Sequence, residues 1–324
     1  MRLLPCALAV LLAAPVVAQA PAPPSCRPTL APSGGPQVAD SSFDPAVGNA
    51  AFAPGSGPRV AIDEAHFNFH TRLGRYAAFA RLLSRDGFVL SSSTGPSTTA
   101  FLAGIRILVV ANALPQSLSG GAWTLPVPPA FSSSEIAAIR GWVAEGGSLL
   151  LIADHMPFPG AVDSLAAAFG VALSNGFATD SSCAAAELLF RRGDGTLAPH
   201  PVIEGRSAAE RIDSVRSFTG SAFRVTGAAQ AVLRFQPSAV VLLPTTAWRF
   251  SDTTTRMSAE GMLQGATLRF GKGRVAVFGE AAMFSAQRAG PGRLPMGMNA
   301  PSAGQNAQFL LNLMHWLAGL LEPD

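Results

Sequence analysis

Three apolar runs, each ending abruptly in ionisable side chains, constrain this chain more than anything else in it. Val60-Ala61-Ile62 leads into Asp63-Glu64-Ala65-His66-Phe67-Asn68-Phe69-His70. Ser148 to Ala153 leads into Asp154-His155, and Arg274 to Gly279 leads into Glu280. Short, continuous apolar runs of this kind suit strands covered on both faces, which is the environment of a parallel sheet. If the runs are neighbours, their carboxyl ends share one edge, where open α/β sheets form their ligand crevice.

Helical patterns separate the runs. Leu73, Tyr76, Ala77, Ala80 and Leu83 predict a helix over 72–85, stopped by Asp86-Gly87. Ser132 followed three residues later by Glu135 is a capping box, and the helix it opens stops at Gly146-Gly147. Further helices are expected from Val162 to Phe169, around Ala184–Phe190, and from Asn306 to Leu320. Gly261 to Phe270 and Arg274 to Phe278, joined by Gly271-Lys272-Gly273, read as a β-hairpin. The alternation predicts an α/β fold: a mostly parallel, doubly wound sheet, with a less regular, β-containing insertion in the second half.

Composition narrows the partners. Hydrophobic residues make up 48% of the 324, charged residues only 13%, and the formal net charge is +3, so a packed core is expected and nucleic acid is not. Lys272 is the sole lysine, which leaves almost no candidate for Schiff-base or phosphate-loop chemistry. Arg2 followed by the apolar run Leu3 to Val17 reads as a signal peptide cut after Ala18, giving a secreted or periplasmic protein with no transmembrane segment after cleavage. Residues 19–57, rich in Pro, Ala and Ser, read as a linker or a surface-hugging arm, and the domain is expected over 58–321. Cys26 and Cys183 remain after cleavage, and in an oxidising compartment they either pair or stay as inert thiols.

The candidate site follows from the strand ends. His66 and His70, four apart, share a face in a helix or a strand, and with His155 they form an expected ligand set for a zinc-like divalent metal. The competing reading is that they cap helices and bind backbone. Glu64, Asp154 and Glu280 are the expected catalytic carboxyl groups. Glu280 needs a partner across the crevice, such as His66 or His155, or an arginine such as Arg72 or Arg75. Asn68, Arg75 and His200 are the expected substrate-binding residues, although Arg75 also reads as helix decoration and His200 as a surface turn between prolines. Ser285 lacks a nucleophile elbow and reads as a helix cap. His315 is expected to be structural.

From Arg59 to Leu320 the chain resembles the class I glutamine amidotransferase-like superfamily, and within it exported bacterial proteins. The resemblance rests on Ile62-Asp63-Glu64-Ala65-His66, on Glu135 through Gly147 leading to Leu149–His155, on Gly195-Thr196-Leu197 with His200-Pro201, and on Gly273–Gln287. It implies a flavodoxin-like fold. The superfamily's cysteine nucleophile would stand on the turn Ala153-Asp154-His155-Met156, where there is none, so glutaminase activity is not expected. Related domains of this fold serve as interaction modules. Two functions follow: a metal-assisted hydrolase acting on a small or carbohydrate-like ligand in the crevice, or a non-catalytic module binding a ligand or an envelope protein.

Overall fold

The computed structural model describes residues 37–180 and 188–322. The expected signal peptide, Cys26, Cys183 and residues 184–187 lie outside the described residues. The first half runs β1 (Val38–Ala39), β2 (Arg59–Asp63), α1 (Ala77–Arg85), β3 (Val89–Ser93), α2 (Thr99–Leu102), β4 (Ile107–Ala111), α3 (Ser133–Ala144), β5 (Ser148–Ile152) and α4 (Phe158–Ala167). The second half continues with β6 (Val171–Leu173), β7 (Phe177–Asp180), β8 (Leu188–Arg191), α5 (Pro201–Glu204), β9 (Ser214–Ser217), β10 (Phe223–Val225), β11 (Gln230–Arg234) and β12 (Ala239–Leu243). It closes with β13 (Thr255–Ser258), β14 (Leu263–Phe270), β15 (Gly273–Phe278), β16 (Ala286–Ala289), β17 (Leu294–Gly297) and α6 (Asn306–Ala318).

The fold is mixed α/β around a mostly parallel central sheet, in the order β3-β2-β4-β5-β15-β14-β10-β6, with β11 also paired to β14. The strands from β3 to β15 are parallel. β14 turns the sheet antiparallel through the expected hairpin with β15. Smaller antiparallel sheets, β13-β12-β7, β8-β9 and β1-β16-β17, supply the irregular second half.

The apolar runs become strands because both sheet faces are covered. Every residue of β4, β5 and β15 is buried. Leu150, Ile152, Val109 and Phe278 pack with α1 and α6, while Leu149, Leu151, Val110 and Val277 pack with α2, α3 and α4. The period of two along each strand therefore sorts alternate side chains into two cores.

Several boundaries differ from the pattern. The first helix begins at Ala77 rather than 72, because Thr71 to Tyr76 fold as turns, with the Gly74 and Tyr76 N–H groups both donating to the Thr71 carbonyl. α4 begins at Phe158, ahead of the expected Val162: Pro157 and Pro159 stand at its start, where a missing N–H costs no helical bond. Residues 188–190, expected to be helical, are strand β8, paired with β9. The capping box of α3 forms as expected, and α6 stops at Gly319, whose φ of 91° is left-handed. Residues 38–57 lie along the domain as an arm: β1 pairs with β16, and Phe43, Val47 and Phe52 pack on the core. No helix among the described residues is long and apolar enough to cross a membrane.

Leu150 lies at the centre of β5 with no exposed surface. Leu150→Ala is expected to destabilise the fold by about 2–5 kcal/mol, from lost burial plus a residual cavity. Urea unfolding of the two proteins measures the difference.

Candidate functional site

The carboxyl ends of β2, β4, β5 and β15 deliver His70, Asn112, Asp154-His155 and Glu280 to one rim of the sheet. A recess of about 50 Å³ opens there, lined by His70, Asn112, Asp154, His155, Thr219 and Gln287, with Phe69, Phe158 and Trp248 as apolar walls. Two of these, Asn112 (φ 52°) and Trp248 (φ 66°), hold left-handed backbone. Such strain concentrates at functional sites.

Asp154 is held from three sides. It accepts hydrogen bonds from its neighbour's N–H, His155 N, at 2.7 Å, from Thr219 Oγ1 at 3.0 Å and from Ala281 N at 3.4 Å. Thr219 reaches it because the backbones at Gly220 and Gly279 nearly touch. A Cβ on Gly220 would stand 2.3 Å from the Gly279 carbonyl oxygen, and one on Gly279 equally close to that of Ser221. Glu280 lies behind Asp154 with no exposed surface, accepting from Ala282 N (2.8 Å) and Met283 N (2.7 Å). Neither a histidine nor an arginine meets it, so both expected partnerships give way to backbone N–H groups. Burial, and then the charge of Asp154, push the Glu280 carboxyl well above its usual range. The same desolvation, with the two acids nearby, raises Tyr76, the single tyrosine, whose hydroxyl donates to the Ala281 carbonyl at 3.2 Å.

The histidines of the recess carry opposite tautomers. His155 Nδ1 sits 2.7 Å from the Met156 carbonyl, which can only accept, so the proton is on Nδ1 and Nε2 presents its lone pair. Phe177 stacks on the ring at 4.7 Å, Trp248 meets it edge-on at 4.4 Å, and burial holds it neutral by lowering its affinity for a second proton. Asn112 Oδ1 accepts from Asp154 N (2.9 Å), which makes its Nδ2 the donor to His70 Nδ1 (3.3 Å). His70 therefore carries its proton on Nε2, a buried atom with no partner. Desolvation keeps His70 neutral, with Arg75 and His155 adding to the effect.

His66 stands apart from this group. Its Nδ1 meets Asp63 Oδ2 at 2.9 Å and its Nε2 meets Glu135 Oε1 at 3.0 Å, while the ring stacks on Phe131 at 3.9 Å. Two carboxylate partners require a proton on each nitrogen. Burial disfavours that charge, but the two acids outweigh it and raise the affinity for the proton. A doubly protonated ring has no lone pair for a metal. The expected set of His66, His70 and His155 is thus not brought together, and among the described residues no three His, Cys, Asp or Glu side chains form a group that could hold a metal ion.

The other expected residues also lie elsewhere. Glu64 Oε1 accepts from Arg72 N (2.7 Å) and Ser92 Oγ (2.9 Å), tying the β2 loop to β3. Asn68 accepts from His66 N at 3.1 Å within that loop. Arg75 donates to the Phe69 carbonyl and lies 3.7 Å over its ring. His200 caps α5, accepting from Val202 N and donating from Nε2 to Thr267 at 2.8 Å, and burial lowers its pKa to about 4. Ser285 caps the C-terminal end of a short 3-10 turn, Ala282–Phe284: its N–H and its hydroxyl both donate to the Ala282 carbonyl, and the hydroxyl accepts from Gln287 Nε2. His315 is buried against Asp86 at 2.6 Å. Of the recess residues that sequence reasoning missed, Asn112 carried a signal, since it ends an apolar run just as Asp154 does. Thr219 and Trp248 carried none.

No family model and no curated protein sequence matches the chain. Among solved structures, the chain is similar in fold to the mmIFT52 N-terminal domain, at 14% identity and a TM-score of 0.54, covering 80% of this chain and 97% of that one. A ThuA-like protein from Bacteroides uniformis is a more distant neighbour, at 12% identity and a TM-score of 0.43, covering 83% of this chain and 94% of that one.

Two pH dependences follow. The His66 pairing contributes stability fully below the free histidine value of 6.5, and this is lost as pH rises through the raised folded value. His66→Gln should therefore cost most near pH 5.5 and progressively less at alkaline pH, as measured by urea midpoints. Glu280 works in the opposite sense in comparison with its neutral isostere. From 4.5 upward the unfolded carboxyl ionises while the folded one does not, so wild type should lose about 1.4 kcal/mol per pH unit relative to Glu280→Gln, until the folded value is reached.

Proposed function

We propose that the recess is the site of an acid–base hydrolase acting on a small polar group, with His155 as general base and no metal required. The observation that carries this reading is the His155 ring: neutral, fixed by its Nδ1–H to the Met156 carbonyl so that Nε2 keeps its lone pair, in a recess that Asp154 also lines. In this scheme Nε2 takes a proton from water as the oxygen attacks the reacting carbon, the bond from that carbon to the leaving group breaks, and the imidazolium, stabilised meanwhile by Asp154, gives the proton to the leaving group. Glu280 acts from behind as a positioning residue, its bulk and proton fixing where the charge of Asp154 resides. Glu64 is left out, because its carboxylate is already engaged with Arg72 and Ser92.

A recess of about 50 Å³ is far below the several hundred that usually enclose a whole ligand. It admits the reacting group end-on rather than a complete sugar ring. We also infer a flavodoxin-like sheet of the amidotransferase type. Counting the five parallel strands in chain order, the sheet runs 2-1-3-4-5, the doubly wound order whose switch point falls between β2 and β4, next to this rim. Glutaminase chemistry is not part of the proposal, since Asp154-His155 occupies the turn where a cysteine would be needed. Export rests on Arg2 and the apolar run after it.

A second reading, a binding crevice without turnover, is favoured by one observation: Asp154 already accepts three hydrogen bonds, as a latch would. A panel of esters, amides and glycosides separates the two. A hydrolysed member should lose about 10²–10⁴-fold in rate with His155→Gln while the fold is kept. Hydrolysis unchanged in that variant, or none above background, would leave only the binding crevice. Elemental analysis of the purified protein tests the metal: stoichiometric zinc lost in both His70→Ala and His155→Ala would overturn the metal-free scheme.

A further inference from the structure

Two polar atoms of residues that line the recess have no partner among the described residues, and they are of opposite kinds. His70 Nε2 is a donor, by the tautomer that Asn112 imposes on the ring. Gln287 Oε1 is an acceptor, because its amide nitrogen is fixed by donation to Ser285 Oγ at 2.7 Å. Both side chains are more than nine-tenths buried and both line the recess. A buried donor and a buried acceptor left unpaired each carry a free-energy cost, and the recess that both residues line is where a ligand could relieve it.

Charge limits what that ligand can be. Among the described residues no lysine or arginine lines the recess, whereas Asp154 does, so an anion would face a carboxyl group without compensation. Arg75 lies close by without lining the recess: its Nη1 donates to the Phe69 carbonyl and its guanidinium lies over that ring, while its buried Nε has no partner among the described residues. A cation would meet the His70 N–H head-on, with the Arg75 charge behind it. Two ring nitrogens of opposite role, His70 Nε2–H and the His155 Nε2 lone pair, complete a lining that both gives and receives hydrogen bonds.

We propose that the recess selects an uncharged group that accepts one hydrogen bond from His70 and donates another to Gln287. A hydroxyl does both with one oxygen, and a primary amide does so with its oxygen and nitrogen. The volume of about 50 Å³ admits either end-on. This assignment rests on the recess being the functional site proposed above, and it names the substrate feature that the site would recognise.

The test uses the full chain with ¹⁵N-labelled histidine at pH 7, titrated separately with ethylene glycol, acetamide, acetate and methylammonium. His70 should show the Nε2–H pattern and His155 the Nδ1–H pattern before any addition. Ethylene glycol or acetamide should then shift the His70 Nε2 signal saturably, and the tighter of the two tells hydroxyl from amide. Gln287→Met should weaken that binding by at least about tenfold. Acetate or methylammonium binding more tightly than both neutral probes, or none of the four shifting His70, overturns the inference. Failure of the hydrolase reading is distinguishable: neutral probes would still bind while the substrate panel stays unreacted.

Discussion

Two carboxyl groups at the ends of adjacent parallel strands, Asp154 after β5 and Glu280 after β15, set the terms for the rest of the rim. Both are buried, and two like charges that close in a dry environment cannot both be held without large cost. The protein resolves this asymmetrically. Burial and the nearby charge of Asp154 raise the affinity of Glu280 for its proton, against the opposing pull of the Ala282 and Met283 N–H groups, while Asp154 is given the side-chain hydroxyl of Thr219 and two N–H groups. The close backbone approach at Gly220 and Gly279 exists to bring that hydroxyl in. A side chain at Gly220 would collide with the Gly279 carbonyl, and one at Gly279 with that of Ser221.

The five histidines show how far environment, rather than residue type, decides chemistry. His66 is an imidazolium between two acids. His70 and His155 are neutral and carry their protons on opposite nitrogens. His200 caps a helix turn, and His315 braces α6 against the end of α1. Spacing alone made His66 and His70 look like a pair. The loop after β2 turns them to different neighbours, one toward α3 and the other toward Asn112 at the end of β4.

Likeness in fold to the mmIFT52 N-terminal domain extends over most of both chains. Sheets of this kind carry unrelated activities on the same frame, so the frame does not choose among them. What differs between such proteins is the set of side chains at the strand ends. Here that set is an acid with a buried acid behind it, a neutral imidazole with a free lone pair, and an unpaired donor facing the same space as an unpaired acceptor.

Much of the frame was legible because its causes are local. The runs at Val60, Leu149 and Val275 had to be buried strands, Ser132 and Glu135 had to open a helix, and Gly271-Lys272-Gly273 had to turn a hairpin. Those are matters of apolar periodicity and backbone preference. Asp154, His155 and Glu280 were likewise foreseeable at the rim, since each ends a strand that can run in only one direction. The partners were not. Thr219 and Trp248 come from segments with no distinguishing pattern, and which nitrogen of His70 holds a proton depends on an asparagine 42 residues away. The sequence by itself determined the central buried strands and which of their ends bear the polar groups, because burial along a short run is a property of the run, whereas strands such as β8 exist only through their pairing. Tertiary structure alone decided which of those groups meet and in what protonation state, because hydrogen bonding and desolvation depend on neighbours that are distant in the chain.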